Sequence, residues 1–527
     1  VIEKALYHEL GDVSVSEYMT TELATVAPEA DLKEIQEKII ENKQRVLPVA
    51  RDDDILGVIT RTDLLNHLVR KTDLTSGQTP NPLKESIQAR TRNVKKFLKE
   101  RHSPRILHIL KSIGETAGET GVSAYVIGGF VRDLFLYRSN EDIDIVIEGD
   151  AIEFARQYAR KADARVHSYR KFGTAVVIFK DGFKIDLATA RMEYYRFPAD
   201  LPTVEMSSLK LDLFRRDFTI NTLAIHLNPE NFGTLLDFFT GLKDIKEKTI
   251  RVLHNLSFVE DPTRVFRAIR FEKRFDFTIG KLTESLIKNA VKMNFFKRLS
   301  GRRVFAELKL ILEEENPTPA IIRLQDYDLL KVIHPSLHLT KEIIKLLDSA
   351  RKVLSWFDLL FLEESYKKWI VYLLTLTRQS DQYTAEEYCH RLELTPEYNK
   401  LFCEERFEAD ECLYWLERHL PVSNSILYRK LSAFKTELIL YMMTTTRQER
   451  VKKAISHYFT KLRYVSTSIS GDDLINMGLS PGPVFRKILE RLLDAKLNGR
   501  VLTVQDEYDF VPKFIKESQF NVTGDFE

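Results

Sequence analysis

The middle of the chain alternates between short apolar runs and longer amphipathic stretches. An apolar run at 124–127 and a second one at 143–147 are typical of buried strands. Strand and helix patterns continue to alternate from 122 to about 250, which predicts an α/β unit. Beyond this point apolar residues recur with helical spacing to the C-terminus, so we expect an all-helical region there.

A smaller α/β unit is predicted within residues 13–70. It contains an amphipathic helix at about 31–42 and two short strands at 46–49 and 56–59. Residues 72–83 are rich in Thr, Ser, Gly and Pro and are predicted to form a linker. Residues 84–111 follow with nine basic and two acidic side chains. We expect a positively charged helical bridge here, which is either a solvated face or a contact with an RNA backbone.

Composition excludes some classes of protein. A length of 527 residues suffices for three or four domains. The 79 basic and 77 acidic residues give a net charge of +2, so any RNA binding must depend on local patches. Three cysteines without Cys-x-x-Cys spacing indicate free thiols in a reducing compartment. With no long apolar run and no signal peptide, we expect a soluble, cytoplasmic protein without a membrane partner, and the start at Val1 suggests a fragment.

The candidate chemistry begins at the first two predicted strands. Asp142 and Asp144 project to the same face of a strand, where two carboxylates repel each other unless a cation lies between them. Hard oxygen ligands of this kind suit Mg²⁺ that carries phosphates. Gly128 and Gly129 follow the preceding strand, so their backbone N–H groups can approach phosphate oxygens, with Arg132 in the next helix. This order is typical of nucleotidyl transfer, although the aspartate pair alone could be a solvated strand edge.

Further polar residues extend this candidate site. Asp186 lies in the second strand of a hairpin predicted at 172–187 and is a candidate third metal-facing carboxylate, the alternative being an ordinary strand-edge acid. Asp217 and Asn221 are spaced by one helical turn and so could bind a ribose and a triphosphate. Arg216 would then neutralise phosphate charge.

A second group lies at the start of a predicted helix within 259–271. Pro262 is tolerated in its first turn, and Asp261 is placed to cap it. Arg264 and Arg267 follow on this helix and are candidates for nucleotide binding. Each residue alone could be a capping acid or a surface arginine, so the prediction depends on their joint occurrence in this order.

The motifs together resemble the class II tRNA nucleotidyltransferase and bacterial poly(A) polymerase family. They cover about 122–330, with a weaker likeness at 469–483. They are Gly-Gly-Phe-Val-Arg-Asp at 128–133, Asp-Ile-Asp at 142–144, Arg-Arg-Asp-Phe-Thr-Ile-Asn at 215–221, Glu-Asp-Pro-x-Arg-x-x-Arg at 260–267 and Arg-Arg-Val-Phe-Ala-Glu-Leu at 302–308. The resemblance implies a catalytic head followed by a helical neck, body and tail. It also implies that Asp142 and Asp144 hold two Mg²⁺ ions, while Glu260, Asp261 and Arg264 read the incoming base.

The N-terminal unit resembles a CBS domain through Gly-Val-Ile-Thr-x-x-Asp at 57–63. In that family Thr60 and Asp63 would hold the ribose of an adenine nucleotide, the alternative being that they only cap a helix. Such domains normally occur in pairs, so we expect this single copy to be half of a pair whose other half is missing. The predicted domains are a CBS domain at 1–71, a linker and basic helix at 72–121, a catalytic head at 122–250, a neck at 251–330, and a tRNA-binding body and tail at 331–527.

Base reading by a carboxylate and an arginine has a physical basis. Adenine and cytosine each present an amino donor beside a ring-nitrogen acceptor, whereas uracil and guanine present a carbonyl and an N–H. An Asp–Arg pair at i, i+3 on one helix would therefore select ATP and CTP without a template. We predict two-metal addition of the terminal A, or of CCA, to the tRNA 3′ end, with contacts to the acceptor and T arms.

Two other functions remain open at this point. A bacterial poly(A) polymerase shares the head and neck, and a ligand-sensing RNA-binding regulator would use the CBS unit as its working part. The segment 191–214 contains Pro198 and Pro202 and is predicted to begin with a mobile loop. In the family, such a loop accompanies enzymes that add the terminal adenosine.

Overall fold

The structure is a computed structural model that describes residues 13–17, 19, 23–31, 34, 35, 38, 46–52, 54–60, 89–194 and 203–517. The chain divides into two compact units, Val1–Leu299 and Ser300–Glu527. Each unit has its own core, and the chemistry described below lies entirely in the first.

The N-terminal segment contains an antiparallel pair, β1 (Val46–Arg51) and β2 (Asp54–Thr60), which confirms the two predicted strands. The backbone of Val26 joins this pair, because its N–H donates to Pro48 O at 3.0 Å and its carbonyl accepts from Ala50 N at 2.9 Å. Asp63, most of the helix predicted at 31–42 and the linker at 72–83 lie outside the described residues.

The head is built on an eight-stranded sheet in the order β3-β12-β11-β4-β5-β8-β7-β6. Neighbouring strands are antiparallel except β5 and β8, which are parallel. Its strands are β3 (Arg90–Asn93), β4 (Ser123–Ile127), β5 (Ile143–Glu148), β6 (Arg165–Tyr169), β7 (Thr174–Ile178), β8 (Lys184–Thr189), β11 (Leu223–His226) and β12 (Thr234–Asp237). Two shorter pairs lie outside this sheet, β9 (Arg191–Tyr194) with β10 (Thr203–Met206) and β13 (Thr249–Ile250) with β14 (Thr278–Ile279).

Helices pack on this sheet through apolar stripes. The first unit contains α1 (Lys95–Arg101), α2 (Pro104–Thr120), α3 (Gly129–Leu136), α4 (Ala151–Lys161), α5 (Leu209–Phe214), α6 (Gly241–Lys246), α7 (Ser257–Glu260), α8 (Thr263–Phe275) and α9 (Lys281–Lys292). α2 buries Ile106, Ile109 and Ile113 at the helical spacing of three to four residues. α5 buries Leu209 and Leu213 against Val146 of β5. Since side chains alternate along a strand, Asp144 lies on the same face as Val146, beside α5.

Three segments differ from the expectation. Residues 90–93, predicted as helix, form the edge strand β3, because backbone pairing with β12 outweighs helix propensity there. The segment predicted as an irregular loop from 191 is a β-hairpin at its base, where β9 pairs with β10, and residues 195–202 lie outside the described part. Asp217 and Asn221 do not share an α-helix, because Phe218 is extended and Thr219–Asn221 form a 3₁₀ turn.

The second unit is helical, as predicted. It contains α10 (Gly301–Leu312), α11 (Thr318–Asp326), α12 (Leu330–Ile333), α13 (Lys341–Asp358), α14 (Lys368–Leu376), α15 (Gln382–Arg391), α16 (Pro396–Lys400), α17 (Arg406–His419), α18 (Asn424–Ser432), α19 (Thr436–Thr445), α20 (Glu449–Thr460), α21 (Gly471–Asn476), α22 (Pro483–Leu497) and α23 (Val504–Glu517). A mixed head sheet followed by an all-helical region confirms the predicted fold class. Across the described ranges no helix is both long and apolar enough to cross a membrane.

Two glycines of α2 provide a test of how closely this helix packs. A Cβ at Gly114 would lie 1.8 Å from the carbonyl oxygen of Leu227, whereas a Cβ at Gly118 would lie 3.5 Å from Pro229 Cδ. Gly114→Ala should therefore destabilise the protein by roughly 1–3 kcal/mol or more through overpacking. Gly118→Ala should be neutral or stabilise by up to about 1 kcal/mol, because alanine favours a helix. Urea unfolding checks both, and equal stabilities would contradict the packing described here.

Candidate active site

Three carboxylates meet at one edge of the head sheet. Asp142 immediately precedes β5, and Asp144 is the second residue of that strand. The parallel pairing of β5 with β8 places Asp186 opposite Asp144. One oxygen from each of the three side chains lies within 4.8 Å of the others. The structure therefore brings Asp186 to the predicted aspartate pair, on the sheet face that α5 borders.

The electrostatics of these carboxylates favour a bound cation. Burial and the charges of Asp142 and Asp186 raise the pKa of Asp144 to about 6, against an opposing effect of Arg216. Burial and Asp142 also raise the pKa of Asp186. A divalent ion would relieve this repulsion, and three carboxylates are the hard oxygen donors that such ions prefer in proteins. The residues present thus fit a divalent metal site.

The glycine loop closes one side of this cluster. Gly128 has φ +69 and precedes α3, and its N–H donates to Leu223 O at 3.2 Å. A Cβ at this position would lie 3.1 Å from Arg216 Nη1 and 3.7 Å from Asp144 Oδ2. Both the left-handed backbone and the close approach of Arg216 require glycine here. The loop therefore borders the carboxylates, as the order of motifs predicts.

Arg132 is buried and belongs to a network of polar side chains. It is 5% exposed, and its Nε and Nη2 each donate to Asp133 at 2.9 Å. Its Nη1 donates to Asn221 Oδ1 at 2.7 Å, and the guanidinium lies 4.5 Å from the centre of the Phe275 ring. Arg132 thus holds Asn221, and its contact with a phosphate stays a prediction.

Asp217 and Asn221 are brought together, although without the predicted helix. Asn221 Nδ2 donates to Asp217 Oδ1 at 2.9 Å. Arg267 donates to Asp217 Oδ2 through Nε at 2.8 Å and Nη2 at 2.6 Å. Although burial alone would raise it, Arg267 and Asn221 hold the pKa of Asp217 well below its usual range. With Arg132, these side chains form one buried polar network between α3 and α8.

The predicted base-reading residues lie at the junction of α7 and α8. Asp261 Oδ1 accepts from Thr263 N at 3.0 Å and from its hydroxyl at 2.6 Å, so the expected cap is present. The prediction that Asp261 and Arg264 lie on one helix is wrong, because the backbone of Asp261 is extended and precedes α8. Arg264 is 5% exposed and donates to Ser257 Oγ and to Arg215 O, both at 2.8 Å.

Glu260 lies one residue before Asp261, at the end of α7, and is 5% exposed. Its Oε2 is 3.2 Å from His254 Nε2. His254 and Ser257 were not selected from the sequence, which offers no spacing signal for either contact. Thr60 is half-buried at the end of β2, away from these residues in the sequence, and its proposed partner Asp63 lies beyond the described residues.

Asp212 was also missed, although it contacts Arg216 of the predicted site. Its carboxylate is fully buried. Oδ1 accepts from Arg215 Nη2 at 2.7 Å, from Arg215 Nε at 3.0 Å and from Arg191 N at 3.3 Å, while Oδ2 accepts from Arg216 Nη2 at 3.3 Å. An acid three and four residues before two arginines on a helix is a signal that the sequence did contain.

Models of known families match three parts of the chain. The "Poly A polymerase head domain" matches residues 124–251, and the "CBS domain" matches residues 15–70. The "Probable RNA and SrmB-binding site of polymerase A" matches residues 276–341. The first match covers the whole carboxylate site, from the strand before the glycine loop to the residues beyond Asn221.

Relatives extend the match along the chain. An A-adding tRNA nucleotidyltransferase of Geobacter sulfurreducens is 46% identical over 512 residues, which are 96% of this chain and 58% of the relative. The corresponding enzyme of Aquifex aeolicus is 34% identical over 86% of this chain and 52% of its own length. The chain thus spans little more than half of these two relatives. One from Halalkalibacterium halodurans is 30% identical and covered over 93% of its length.

Solved structures agree with this assignment. A CCA-adding enzyme in an apo form has a TM-score of 0.64 and 37% identity, covering 80% of this chain and 99% of its own. The Thermotoga maritima CCA-adding enzyme complexed with tRNA has a TM-score of 0.61 and 35% identity, with 81% and 99% covered. From these matches and the motifs around the three carboxylates, the chain belongs to the class II tRNA nucleotidyltransferase family and carries a CBS domain before its head.

Proposed function

We propose that this chain adds nucleotides to the 3′ end of tRNA without a nucleic-acid template and that it can add the terminal adenosine. The observation that carries the proposal is the cluster of Asp142, Asp144 and Asp186 bordered by Gly128 and Arg216. The names of the A-adding relatives support adenosine as the added nucleotide. ATP and possibly CTP are the substrates, and the 3′ end with the acceptor and T arms of tRNA is the partner.

The three carboxylates would hold two Mg²⁺ ions. When bound, Mg²⁺ supplies the positive charge that lowers the pKa of the terminal 3′-hydroxyl and neutralises the departing pyrophosphate. Asp142 and Asp186 are exposed enough to accept an ion together with a substrate, while Asp144 is fixed between them by the strand pairing. The chain itself thus provides a rigid acidic edge at which the hydroxyl and the α-phosphate can meet.

The remaining site residues orient the nucleotide. Arg216 extends its guanidinium beside Gly128 and Asp144, where it can donate to the triphosphate. Asp217 and Asn221 would contact the ribose, and Arg132 and Arg267 hold them in place from either side. In this assignment Arg216 contacts the phosphates. The polar network that contains Arg132 and Arg267 gives structural support.

Glu260, Asp261 and Arg264 would read the base. In the described conformation Arg264 donates to Ser257 Oγ and Arg215 O, which fix its orientation and leave other N–H groups of the guanidinium for an acceptor on an incoming base. Adenine and cytosine offer such a ring nitrogen, whereas uracil and guanine present an N–H. A mismatch would leave a buried donor unpaired at a cost of about 1–3 kcal/mol. The β9–β10 hairpin, which is joined to Asp212 through Arg191 N, would help the site accept adenine after cytosine.

The acidic edge can be tested directly. Asp142→Ala or Asp144→Ala should lower nucleotide incorporation by at least about a hundredfold, because the cation charge would no longer be held at the reacting phosphate. The measurement uses labelled ATP or CTP with tRNA transcripts that lack CCA, end in CC or are complete. Binding of tRNA should persist. Incorporation within tenfold of the wild-type rate in the double variant would contradict the assignment.

The transcripts also separate the possible products. Addition of A to a transcript ending in CC, with no growth of a complete one, supports A addition. Continued growth of the complete transcript would instead indicate a poly(A) polymerase.

Base selection provides a second test. Arg264→Ala should raise UTP and GTP incorporation relative to ATP by about tenfold, because about 1–3 kcal/mol of discrimination is removed. Single-nucleotide incorporation ratios measure this change. A uniform loss of rate with an unchanged ATP-to-UTP ratio would make Arg264 a purely structural residue that joins Ser257 to Arg215.

The raised pKa of Asp144 predicts a pH-dependent metal affinity. Its protonated form stabilises the metal-free fold below its ordinary pKa of 3.8, and this contribution is lost as the pH rises through about 6. Mg²⁺ should therefore raise the melting temperature at pH 7.5 but little at pH 5, where a proton must first be displaced. Differential scanning calorimetry measures the shift. An equal shift at both pH values, or one that persists in Asp144→Asn, would contradict this prediction.

A further inference from the structure

Arg216 lies between two carboxylates that differ in their surroundings. Its Nη2 is bound by Asp212 Oδ2 at 3.3 Å, in a fully buried position. Its Nη1 lies on the other side, 3.1 Å from the position of a Cβ on Gly128, and Asp144 Oδ2 is 3.7 Å from the same point. The guanidinium of Arg216 thus reaches from Asp212, on α5, to Asp144 in the carboxylate cluster.

The other donors of Arg216 are not used within the described part of the chain. Its Nε is buried and forms no hydrogen bond there, and its hydrogen bond to Asp212 accounts for Nη2 alone. Nη1, on the side of Gly128 and Asp144, is therefore the donor of Arg216 that lies nearest the proposed phosphate site.

We propose that Asp212 is a positioning residue, whose Oδ2 anchors Arg216 so that Nη1 faces the phosphates of the nucleotide. The inference rests on the proposed function, in which Arg216 binds the triphosphate. Without the anchor, the guanidinium would move onto Asp144, because an unrestrained arginine pairs with the nearest carboxylate. It would then compete for an oxygen of the acidic cluster and lose its alignment with the phosphates.

The two oxygens of Asp212 accept from different partners, so the contact with Arg216 can be removed separately from the others. Oδ1 accepts from the Arg215 side chain and from Arg191 N at the start of β9, while Arg216 is the one donor to Oδ2 among the described residues. In Asp212→Asn, the amide oxygen can keep the Oδ1 contacts. The amide nitrogen would then face Nη2, a donor against a donor. This variant should release Arg216 while it keeps the contacts of Arg215 and the hairpin.

ATP binding to the metal-free protein, measured by isothermal titration calorimetry, tests the contact between Asp212 and Arg216 independently of catalysis. Asp212→Asn and Arg216→Ala should each raise the Kd for ATP at least about fivefold. The double variant should bind ATP no more weakly than Arg216→Ala alone, because both changes remove one interaction. The Kd for tRNA should stay within twofold of the wild-type value.

Asp237→Asn is the matched control. Asp237 is 4% exposed, but it accepts from the backbone N–H groups of Phe239, Gly241 and Leu242 at 2.8–3.2 Å. Its replacement removes a buried charge of the same unit, and ATP binding should not change. If Asp237→Asn weakens ATP binding as much as Asp212→Asn does, the effect is general destabilisation and the proposal is wrong.

Arg216→Lys provides an independent variant if Asp212→Asn does not fold. A lysine keeps the charge but has a single nitrogen, which cannot bind Asp212 and a phosphate with the spacing of a guanidinium. We expect a Kd for ATP close to that of Arg216→Ala, and wild-type affinity would overturn the proposal. Unchanged affinity in Asp212→Asn with a loss in Arg216→Ala would overturn it as well. If Arg216→Ala also binds ATP normally, the phosphate role of Arg216 fails, whereas tRNA extension by the wild-type chain tests the function itself.

Discussion

The parallel pairing of β5 with β8 is the constraint on which the site depends. It is the one parallel pair of the eight-stranded sheet, and its register sets Asp144 opposite Asp186. Because side chains alternate along a strand, a slip of one residue would turn Asp186 to the other face and separate the carboxylates. The buried neighbours Ile143, Ile145, Ile185 and Leu187 oppose such a slip, since they would have to leave the core. Apolar packing therefore fixes a geometry that the charges themselves oppose.

Arg216 and Arg215 offset part of the cost of placing these acids close together and out of water. Burial and the neighbouring acids raise the pKa of Asp144, and Arg216 acts in the opposite direction. Asp212 has a lowered pKa although it is fully buried, because Arg216 and Arg215 outweigh the effect of burial. The two acids thus differ in their surroundings. The arginines beside Asp212 favour its charged form, whereas the surroundings of Asp144 disfavour its charge, which a bound cation would stabilise.

Local motifs were sufficient to predict the head, the helical region and most of the carboxylate site. The positions of Asp142, Asp144 and Asp186 followed from strand periodicity and the order of the motifs. The strand at 90–93 could not be predicted in this way, because its hydrogen bonds come from β12, more than 140 residues later. The internal partners of Arg132 and Arg264 could not be predicted either. They depend on tertiary contacts with Asn221, Ser257 and Arg215 that no local spacing encodes.

Those internal partners also bear on selectivity. A guanidinium has five N–H donors, so the hydrogen bonds of Arg264 to Ser257 Oγ and Arg215 O fix its orientation and leave donors for a base. If Arg264 reads the base, a misaligned acceptor would gain little from a guanidinium held in this way, and a base that presents N–H would be disfavoured. Internal contacts that hold Arg264 in place would then contribute to discrimination as well as to stability.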